Sequence, residues 1–446
     1  MKFVVIGGDA AGMSAASRAK RHWPDLEVTV LEKTMDVSYS ACGMPYNIAD
    51  PERPIEDLVV RQADVFRRKQ GIKLLTGHLG EKIDRRKKVV HVISQDGSSF
   101  EISYDKLVLA TGAHPILPEL PGFDFPGIMA LKNLEDGRKI KRHIQEKNVN
   151  KVVILGMGYI ALEMCEALRA LNIDVDMVKP RKMFIPWMAD ELSDMVRKEV
   201  EANGINLYPG YKIHYIEQSN DFLNVVCDGL TLSADMVLVA IGISPNSKIA
   251  SDAGLELSVS KSIATDRMLK TSDDHIFAAG DCADAYHVVT GKKTWIPLAL
   301  RANRAGWAAA DNICGKQVRL EGVVGTAVFK VFDLEVARTG LNAKEAAEAG
   351  FDPVSVTITS RSRAHAHPGA KMIRVHMVGD KKSGRLLGAF MVGEEGAAHR
   401  INAAAVALHN KMTVEAFSTT DLSYAPPFGP VWDPLLTAAN QLIKIL

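Results

Sequence analysis

Residues 2–32 read KFVVIGGDAAGMSAASRAKRHWPDLEVTVLE, and this stretch decides the fold of the first part of the chain. The apolar run at its start ends in glycine and predicts a strand. The small residues from Ala10 to Trp23 predict a helix, and Glu27 to Leu31 predict a second strand. Together they form a βαβ unit, the building block of dinucleotide-binding domains.

The loop between the first strand and the helix carries the chemistry of this unit. Gly7 permits the tight turn after the strand, Gly12 permits close packing of helix on strand, and the helix N-terminus can hold a pyrophosphate. Glu32 lies twenty residues beyond Gly12, where a carboxylate can bind a ribose hydroxyl. Asp9 replaces the middle glycine of the usual pattern. The strand, the helix and Glu32 nevertheless favour a dinucleotide site over an ordinary tight turn.

A second unit of the same kind begins at residue 151. Lys151 to Leu155 predict a strand, Gly156-Met157-Gly158 form a glycine loop, Ile160 to Leu171 predict a helix, and Asp174 to Val178 predict a second strand. The chain therefore contains an internal repeat of architecture, and it is expected to bind two dinucleotides.

The second unit differs from the first at the end of its second strand. No acid is present there; Lys179 and Arg181 follow the strand instead. Basic side chains at this place suit the 2′-phosphate of NADPH. The sequence thus predicts that NADPH is accepted as well as NADH, and the alternative is a solvated basic loop.

Further apolar strands complete the organisation of the chain. The segments 106–113, 236–243 and 275–281 each run into glycine, and the first two are expected to complete the sheets of their units. From about residue 325 the pattern changes to alternating strands and two helices. The predicted fold is α/β, with two Rossmann-like dinucleotide-binding domains, at 1–115 with 245–323 and at 116–244, followed by an α+β domain at 324–446.

Composition excludes several classes of protein. The net charge of +1 over 446 residues argues against a nucleic-acid binder that relies on bulk positive charge. The longest candidate for an apolar run, around residues 152–171, is broken by Glu163, Glu166 and Arg169, so no membrane span is expected. The chain has five cysteines and no CxxC motif. No metal site is predicted, and this cysteine usage is typical of a reducing cytoplasm.

Cys42 is the cysteine with a functional context. It lies in the segment SYSACGMPY (38–46), ten residues after Glu32. A lone cysteine is more often inert than reactive, but this one is expected close to the first dinucleotide. Two dinucleotides and one nearby thiol predict electron flow from nicotinamide to flavin to sulfur. The other four cysteines, Cys165, Cys227, Cys282 and Cys314, are interpreted as structural.

These motifs resemble the pyridine nucleotide-disulfide oxidoreductases, in the single-cysteine branch with coenzyme A-disulfide reductases, polysulfide and persulfide reductases, and NADH oxidases and peroxidases. The resemblance covers nearly the whole chain. It rests on the first glycine loop and SYSACGMPY, then on LVLATGA, GMGYIALEMCEAL, VLVAIGISPN and IFAAGDCA, and finally on LSYAPPF near the C-terminus. It implies FAD on the first unit, NADPH or NADH on the second, and a C-terminal dimerisation domain that completes the active site of the partner subunit.

The resemblance also gives a set of expected cofactor contacts. Asp281 would bind the flavin ribitol, and Pro297, Leu298 and Ala299 would lie near the flavin ring. The remaining expected cofactor-binding residues are Gly7, Ala10, Ala11, Gly12, Glu32, Lys33, Ser40, Ala110, Thr111, Gly112, Gly156, Gly158, Tyr159, Ile160, Lys179, Arg181 and Gly242.

One position separates the branches of this family. The oxidases and peroxidases carry a histidine where this chain has Ala10, and that histidine partners the cysteine when it becomes a sulfenic acid. Ala10 argues against peroxidase chemistry. In the coenzyme A branch, basic residues of the first helix contact the phosphates of coenzyme A, which points to Arg18, Arg21 and His22. The alternative is a solvated helix face. Ser38 and Tyr39 are further expected substrate contacts.

The C-terminal motif supplies the expected proton donor. Tyr424 matches a tyrosine that the coenzyme A branch delivers to the cysteine of the partner subunit, where a phenol can protonate a departing thiolate. A second tyrosine expected just before Pro368 is missing, and His365-Ala366-His367 stand there instead. His367 is the second candidate donor. The missing tyrosine leaves the identity of the substrate open.

Three functions follow from these residues. The first is a reductase of coenzyme A disulfide, coenzyme A persulfide or polysulfide that works through Cys42. The second is an NAD(P)H oxidase that reduces oxygen, and the third is a non-catalytic flavin redox sensor. Cys42 disfavours the sensor, since a sensor can work from the flavin alone. The expected partners are a small sulfur compound and a second copy of the chain, with no nucleic acid or membrane.

Overall fold

The computed structural model describes residues 1–219 and 222–446. The elements of the first part of the chain are β1 (Lys2–Ile6), α1 (Ala10–His22), β2 (Glu27–Glu32), α2 (Met44–Ile48), α3 (Ala63–Gln70), β3 (Lys73–Thr76), β4 (His78–Asp84), β5 (Val89–Ser94), β6 (Ser99–Ser103), β7 (Lys106–Leu109) and β8 (Ala113–Pro115). A 3-10 turn, Ala41–Gly43, precedes α2.

The second part contains the repeat of this architecture. Its elements are β9 (Ile128–Met129), α4 (Leu134–Lys147), β10 (Lys151–Leu155), α5 (Tyr159–Ala170), β11 (Asp174–Lys179), α6 (Asp190–Ala202), β12 (Asn206–Pro209), β13 (Ile213–Ser219), β14 (Phe222–Cys227), β15 (Leu230–Ala234), β16 (Met236–Val239) and β17 (Ile243–Pro245).

The third part returns to the first sheet and then forms the C-terminal domain. Its elements are α7 (Lys248–Asp252), β18 (Ile276–Ala278), β19 (Ala285–Tyr286), β20 (Lys293–Thr294), α8 (Ala299–Ile313), β21 (Ala327–Val331), β22 (Leu334–Gly340), α9 (Ala343–Ala349), β23 (Pro353–Arg361), β24 (Met372–Asp380), β25 (Leu386–Gly393), α10 (Ala397–His409), α11 (Val414–Ser418) and α12 (Pro434–Leu442).

Two parallel five-stranded sheets organise the dinucleotide units. Their strand orders are β3–β2–β1–β7–β18 and β12–β11–β10–β16–β9. Each has the strand of its glycine loop at the centre, where the strand order reverses. Ligands of open α/β sheets bind at this switch point, outside the carboxyl ends of the strands. The predicted βαβ units and the predicted α/β fold class are confirmed.

A two-stranded pair joins the two units. β8 pairs antiparallel with β17, so the chain leaves the first unit and returns to it at neighbouring points. β18 then joins β7 in the first sheet, which makes the first unit discontinuous in sequence. The predicted domain boundaries remain a prediction.

The C-terminal domain is built on an antiparallel sheet in the order β21–β22–β25–β24–β23. Its central strand, LLGAFMVG, is buried at every residue, as expected of a near-continuous apolar run covered on both faces. α10 packs on β22 and β25, and α12 packs on β23 and β24. The α+β character predicted for this part is confirmed. No helix in the described ranges is long and apolar enough to cross a membrane.

Candidate active site

A single large cavity runs along the carboxyl ends of both parallel sheets. Its volume is about 2690 Å³, several times the roughly 300–1,000 Å³ of a pocket for one small ligand. Both glycine loops and Cys42 line it. Most predicted cofactor contacts line it too: Gly7, Ala10, Ala11, Glu32, Lys33, Ser40, Ala110, Thr111, Gly112, Gly156, Gly158, Tyr159, Ile160, Lys179, Arg181, Gly242, Asp281, Pro297, Leu298 and Ala299.

The first glycine loop is shaped by backbone constraints. Gly7 has φ +113°, and a Cβ at Gly12 would lie 1.8 Å from the Gly7 carbonyl oxygen, so a side chain cannot fit at Gly12. Gly12 therefore lies beneath the loop, where it permits helix packing, and it does not line the cavity. Glu32 accepts hydrogen bonds from the Gly8 amide at 2.7 Å and the Thr34 amide at 2.8 Å. Its carboxylate is thus fixed at the cavity wall.

Asp9 places a carboxyl group in this loop, where the usual pattern has glycine. It accepts a hydrogen bond from the Tyr39 amide at 3.3 Å. Burial raises the pKa of Asp9 to about 6, and the carboxylates of Glu32 and Asp281 add to the effect, while Lys132 opposes it. Near pH 6 the Asp9 carboxyl group is therefore half protonated. In this state it repels a neighbouring phosphate less than a fully ionised carboxylate would.

The second glycine loop leaves room for a ligand. Gly156 has φ +115°, which completes the turn, whereas a Cβ at Gly158 would meet no atom within 4 Å. That open space lies where a dinucleotide approaches the backbone in this fold. The next residue, Tyr159, packs its ring against Trp187 and Phe329, with centroids 5.5 and 5.1 Å apart. These features fit a nicotinamide dinucleotide.

The two basic residues behind this loop differ in their availability. The Lys179 amino group is buried and donates to the Phe184 carbonyl at 2.5 Å. Burial lowers the pKa of Lys179 to about 8, with a smaller contribution from Arg181. The expectation that Lys179 contacts a 2′-phosphate therefore finds no support in its position, because its donor is engaged within the protein. Arg181 is exposed and lines the cavity.

The segment around Cys42 is clamped beside the first loop. The Ser38 amide donates to the Gly8 carbonyl at 3.2 Å, and the Ser40 amide donates to the Leu58 carbonyl at 2.8 Å. Ser38 has φ +50° and does not line the cavity, whereas Tyr39 does. The clamp brings Cys42 into the cavity. Cys42 is exposed, and the other four cysteines are buried.

The protein groups around Cys42 raise the pKa of its thiol. Desolvation is the main cause, Glu163 adds to it, and Lys132 partly opposes it. The motif around Cys42 predicts a thiol pKa that is lowered by the flavin-site helix or by a nearby positive charge, whereas the surrounding protein groups act in the opposite direction. Lys132, which lowers the thiol pKa, is also bonded to Asp281, Nζ to Oδ2, at 3.1 Å.

Four further residues of this region make contacts that the sequence analysis does not assign. Glu163 of α5 lines the cavity and accepts a hydrogen bond from the Tyr46 hydroxyl at 3.2 Å. Lys132 bonds Asp281, and the buried Arg301 donates to the Gly280 carbonyl at 3.3 Å. Glu163 and Tyr46 lie within the motifs GMGYIALEMCEAL and SYSACGMPY, whereas Lys132 and Arg301 carry no signal of their own.

The helix-face residues predicted for coenzyme A lie outside the cavity. Arg18 makes a bidentate ion pair with Asp311 of α8, at 3.0 and 2.9 Å, and the His22 ring lies 3.0 Å from the same carboxylate. Arg21 is exposed. Arg18 and His22 are thus engaged by a partner 293 and 289 residues away in the chain, which the sequence could not indicate, and their role toward phosphate stays a prediction.

The two predicted proton donors lie together in the C-terminal domain. The Ala364 amide, in the loop of His367, donates to the Pro426 carbonyl at 3.0 Å, close to Tyr424. Tyr424 is 48% exposed. Neither Tyr424 nor His367 lines the cavity of its own chain, so neither can serve Cys42 of the same subunit.

Comparisons with known proteins agree with this architecture. The family model "Pyridine nucleotide-disulphide oxidoreductase" matches residues 1–306, and the dimerisation domain of the same family matches residues 326–434. The chain belongs to the pyridine nucleotide-disulfide oxidoreductases. It is a flavin-type oxidoreductase by this membership, which implies FAD and NAD(P)H.

Three known proteins are similar to this chain over most of their length. The chain is 38% identical over 442 residues to an NAD(P)H sulfur oxidoreductase (CoA-dependent) of Pyrococcus furiosus, which covers 99% of each chain. It is 32% identical to an NADH oxidase of Methanocaldococcus jannaschii, over 100% of this chain and 99% of the other. An NAD-dependent persulfide reductase from A. fulgidus has a similar structure, with a TM-score of 0.96 and 37% identity, covering 100% of this chain and 83% of that one.

Proposed function

We propose that this protein is an FAD-dependent NAD(P)H oxidoreductase that reduces coenzyme A disulfide, coenzyme A persulfide or polysulfide through Cys42. The observation that carries the proposal is the placement of one exposed cysteine in the cavity shared by both glycine loops. The relatives named as sulfur and persulfide reductases support it.

The chemistry of sulfur reduction begins at Cys42. Its thiolate attacks one sulfur of the substrate, the S–S bond breaks, and a mixed disulfide forms between Cys42 and a substrate fragment. The fragment must come from the substrate, because the other four cysteines are buried. FAD, when bound, supplies the two electrons from NAD(P)H that cleave this mixed disulfide again.

The proton for the departing thiolate comes from a second subunit in this proposal. Tyr424 is exposed beside Phe428, Val431 and Trp432, which are 79%, 66% and 61% exposed. Apolar side chains of this size favour burial against a partner, and the matched dimerisation domain supports a homodimer. Tyr424 of the partner subunit would then face Cys42, with the partner's His367 as the second candidate.

The nicotinamide cofactor is bound at the second loop. The open space at Gly158 accepts the dinucleotide backbone, and Arg181 is an exposed cation in the cavity that suits a 2′-phosphate, so we expect NADPH to be used at least as well as NADH. The persulfide reductase from A. fulgidus is named as NAD-dependent, so the preference of this chain for NADPH or NADH has to be measured directly. A cytoplasmic location stays a prediction.

The proposal is tested by Tyr424→Phe. Sulfur reduction should slow by about 10²-fold or more if the hydroxyl donates the proton, while flavin reduction by NADPH should not change. The exposed Tyr215 does not line the cavity, and Tyr215→Phe is the matched control. Steady-state turnover with coenzyme A disulfide, polysulfide, glutathione disulfide and oxygen identifies the acceptor. Full turnover of Tyr424→Phe with the best sulfur acceptor contradicts the tyrosine role.

Reduction of oxygen is the second candidate. The relative named as an NADH oxidase favours it, whereas Ala10 lines the cavity with a methyl group that cannot partner a sulfenic acid. Cys42→Ser distinguishes a sulfur reductase from a redox sensor. In a sulfur reductase, the variant loses sulfur reduction and keeps flavin reduction. In a redox sensor, the variant keeps its change of partner on reduction.

A further inference from the structure

The lysine expected to contact a 2′-phosphate at the end of β11 is engaged elsewhere. The Lys179 amino group donates to the Phe184 carbonyl at 2.5 Å, so the end of this strand offers the phosphate one exposed cation, Arg181. A phosphate group carries close to two negative charges at neutral pH and has three oxygens that accept hydrogen bonds. It can therefore bind a second cation besides Arg181.

The order of the strands in the second sheet shows where a second cation can come from. β12 lies beside β11, and β11 lies beside β10, the strand of the glycine loop. In this fold the pyrophosphate is bound at the glycine loop, and the adenosine ribose is bound at the end of the next strand. The loop that follows β12, residues 210–212, is therefore the segment next to the ribose along this edge of the sheet.

The loop after β12 is fixed against the end of β11. The Gly210 and Tyr211 amides donate to the Lys179 carbonyl at 2.8 and 3.1 Å. Gly210 has φ +97°, and a Cβ there would lie 3.2 Å from Cγ of Lys182, so the loop lies directly against the segment that follows β11. These contacts hold Lys212, the last residue of the loop, beside that segment.

Lys212 brings a second cation to this part of the cavity. Its side chain is exposed and lines the cavity, as that of Arg181 does. In the described ranges, the ion pairs of this unit use other cations, such as Lys151 and Arg169. The residues between 178 and 214 that line the cavity include no carboxylate; they are Lys179, Pro180, Arg181, Pro186, Trp187, Lys212 and Ile213.

We propose that Lys212 and Arg181 together bind the 2′-phosphate of the nicotinamide cofactor, so that Lys212 helps to determine the preference for NADPH over NADH. Arg181 offers a planar guanidinium that matches two phosphate oxygens, and Lys212 offers a compact ammonium charge from the neighbouring loop. NADH has a neutral hydroxyl group in place of this phosphate and gains little from either cation. The assignment rests on the proposed use of NADPH, but it does not depend on Cys42 or on the sulfur substrate.

Equilibrium binding to the oxidised holoenzyme tests the assignment without turnover. Isothermal titration calorimetry gives the dissociation constants of NADP⁺ and NAD⁺, which differ only in the 2′-phosphate. Lys212→Met removes the charge and keeps most of the apolar stem of the side chain. It should weaken the binding of NADP⁺ roughly 10-fold, since a charge-assisted contact is lost, and it should change the binding of NAD⁺ by less than about twofold.

Lys182→Met is the matched control. Lys182 is exposed and follows Arg181 directly, but it does not line the cavity. This variant should therefore keep the wild-type ratio of the two dissociation constants. In the double variant Arg181→Met/Lys212→Met, the preference for NADP⁺ should fall below that of either single variant, because both cations of the phosphate are then absent.

Two results overturn the assignment. One is an unchanged ratio in Lys212→Met, and the other is an equal loss of affinity for NADP⁺ and NAD⁺, which would mean that Lys212 acts on a part that both cofactors share. Arg181→Met, measured in parallel, then distinguishes two failures. If it lowers the ratio, only the role of Lys212 is wrong. If neither variant changes the ratio, the proposed use of NADPH at this segment fails too, while sulfur reduction through Cys42 still stands.

Discussion

Asp9→Asn should stabilise the protein, although it removes a charged side chain from a functional loop. The carboxyl group of Asp9 has its pKa raised from 3.8 to about 6, chiefly by burial. Because the folded state holds the proton more tightly than the unfolded state, the ionised form costs stability. This cost is absent well below pH 3.8 and complete above about pH 6. Asparagine is neutral at every pH and avoids it.

The magnitude follows from the two pKa values. At pH 8 the full difference applies and corresponds to at most about 3 kcal/mol, at about 1.4 kcal/mol per pH unit. At pH 5 the folded protein is mostly protonated at Asp9, and the difference falls to about half of that value. The hydrogen bond from the Tyr39 amide is retained, since the asparagine side chain also presents an oxygen. Phosphates of a bound dinucleotide would enlarge the effect at pH 8.

Urea unfolding of the holoenzyme at the two pH values measures this prediction, with tryptophan and released-flavin fluorescence recorded together. The midpoint of Asp9→Asn should exceed that of the wild type at pH 8 by more than at pH 5. The exposed Asp25 lies in the same unit, and Asp25→Asn controls for the loss of one charge. An Asp9→Asn protein that is no more stable than the wild type at pH 8, or a gain that does not depend on pH, refutes the reasoning.

Two further predictions concern the second glycine loop. Arg181→Glu should shift the ratio of kcat/KM for NADPH over NADH by about 10- to 100-fold, because a charge-assisted contact contributes roughly 1.5–3 kcal/mol. An unchanged ratio means that Arg181 does not contact the 2′-phosphate. Gly158→Ala should fold and keep its flavin, because its Cβ meets no atom within 4 Å. The methyl group should nevertheless raise the KM for NADPH about 10-fold or more, or about 1.4 kcal/mol, and an unchanged KM would show that the dinucleotide does not approach there.

The parts of the fold that the sequence predicts are those encoded locally. The apolar runs at β1 and β10, each followed by a glycine loop, predict both units, since strand, turn and helix signals lie within about thirty residues. The unbroken apolar run of β25 predicts a buried strand in the same way. The bounds differ mainly at the ends; the strand expected over 106–113, for example, ends at Leu109.

The details of the site are set by residues distant in sequence, and these could not be predicted. Tyr46 meets Glu163 across 117 positions, and Lys132 meets Asp281 across 149. Lys179 has the charge expected of a phosphate contact, but its amino group donates a hydrogen bond to the buried carbonyl of Phe184, five residues later. Side-chain direction and burial decide these cases, and neither is visible in a motif.

The direction in which the pKa of the Cys42 thiol is shifted shows why desolvation has to be weighed against nearby charges. A cysteine beside a helix and a lysine suggests a thiolate stabilised by positive charge. In the structure, Lys132 is bonded to Asp281, and Cys42 lies in a cavity wall with Glu163 and Asp9. Desolvation and these carboxylates outweigh the lysine.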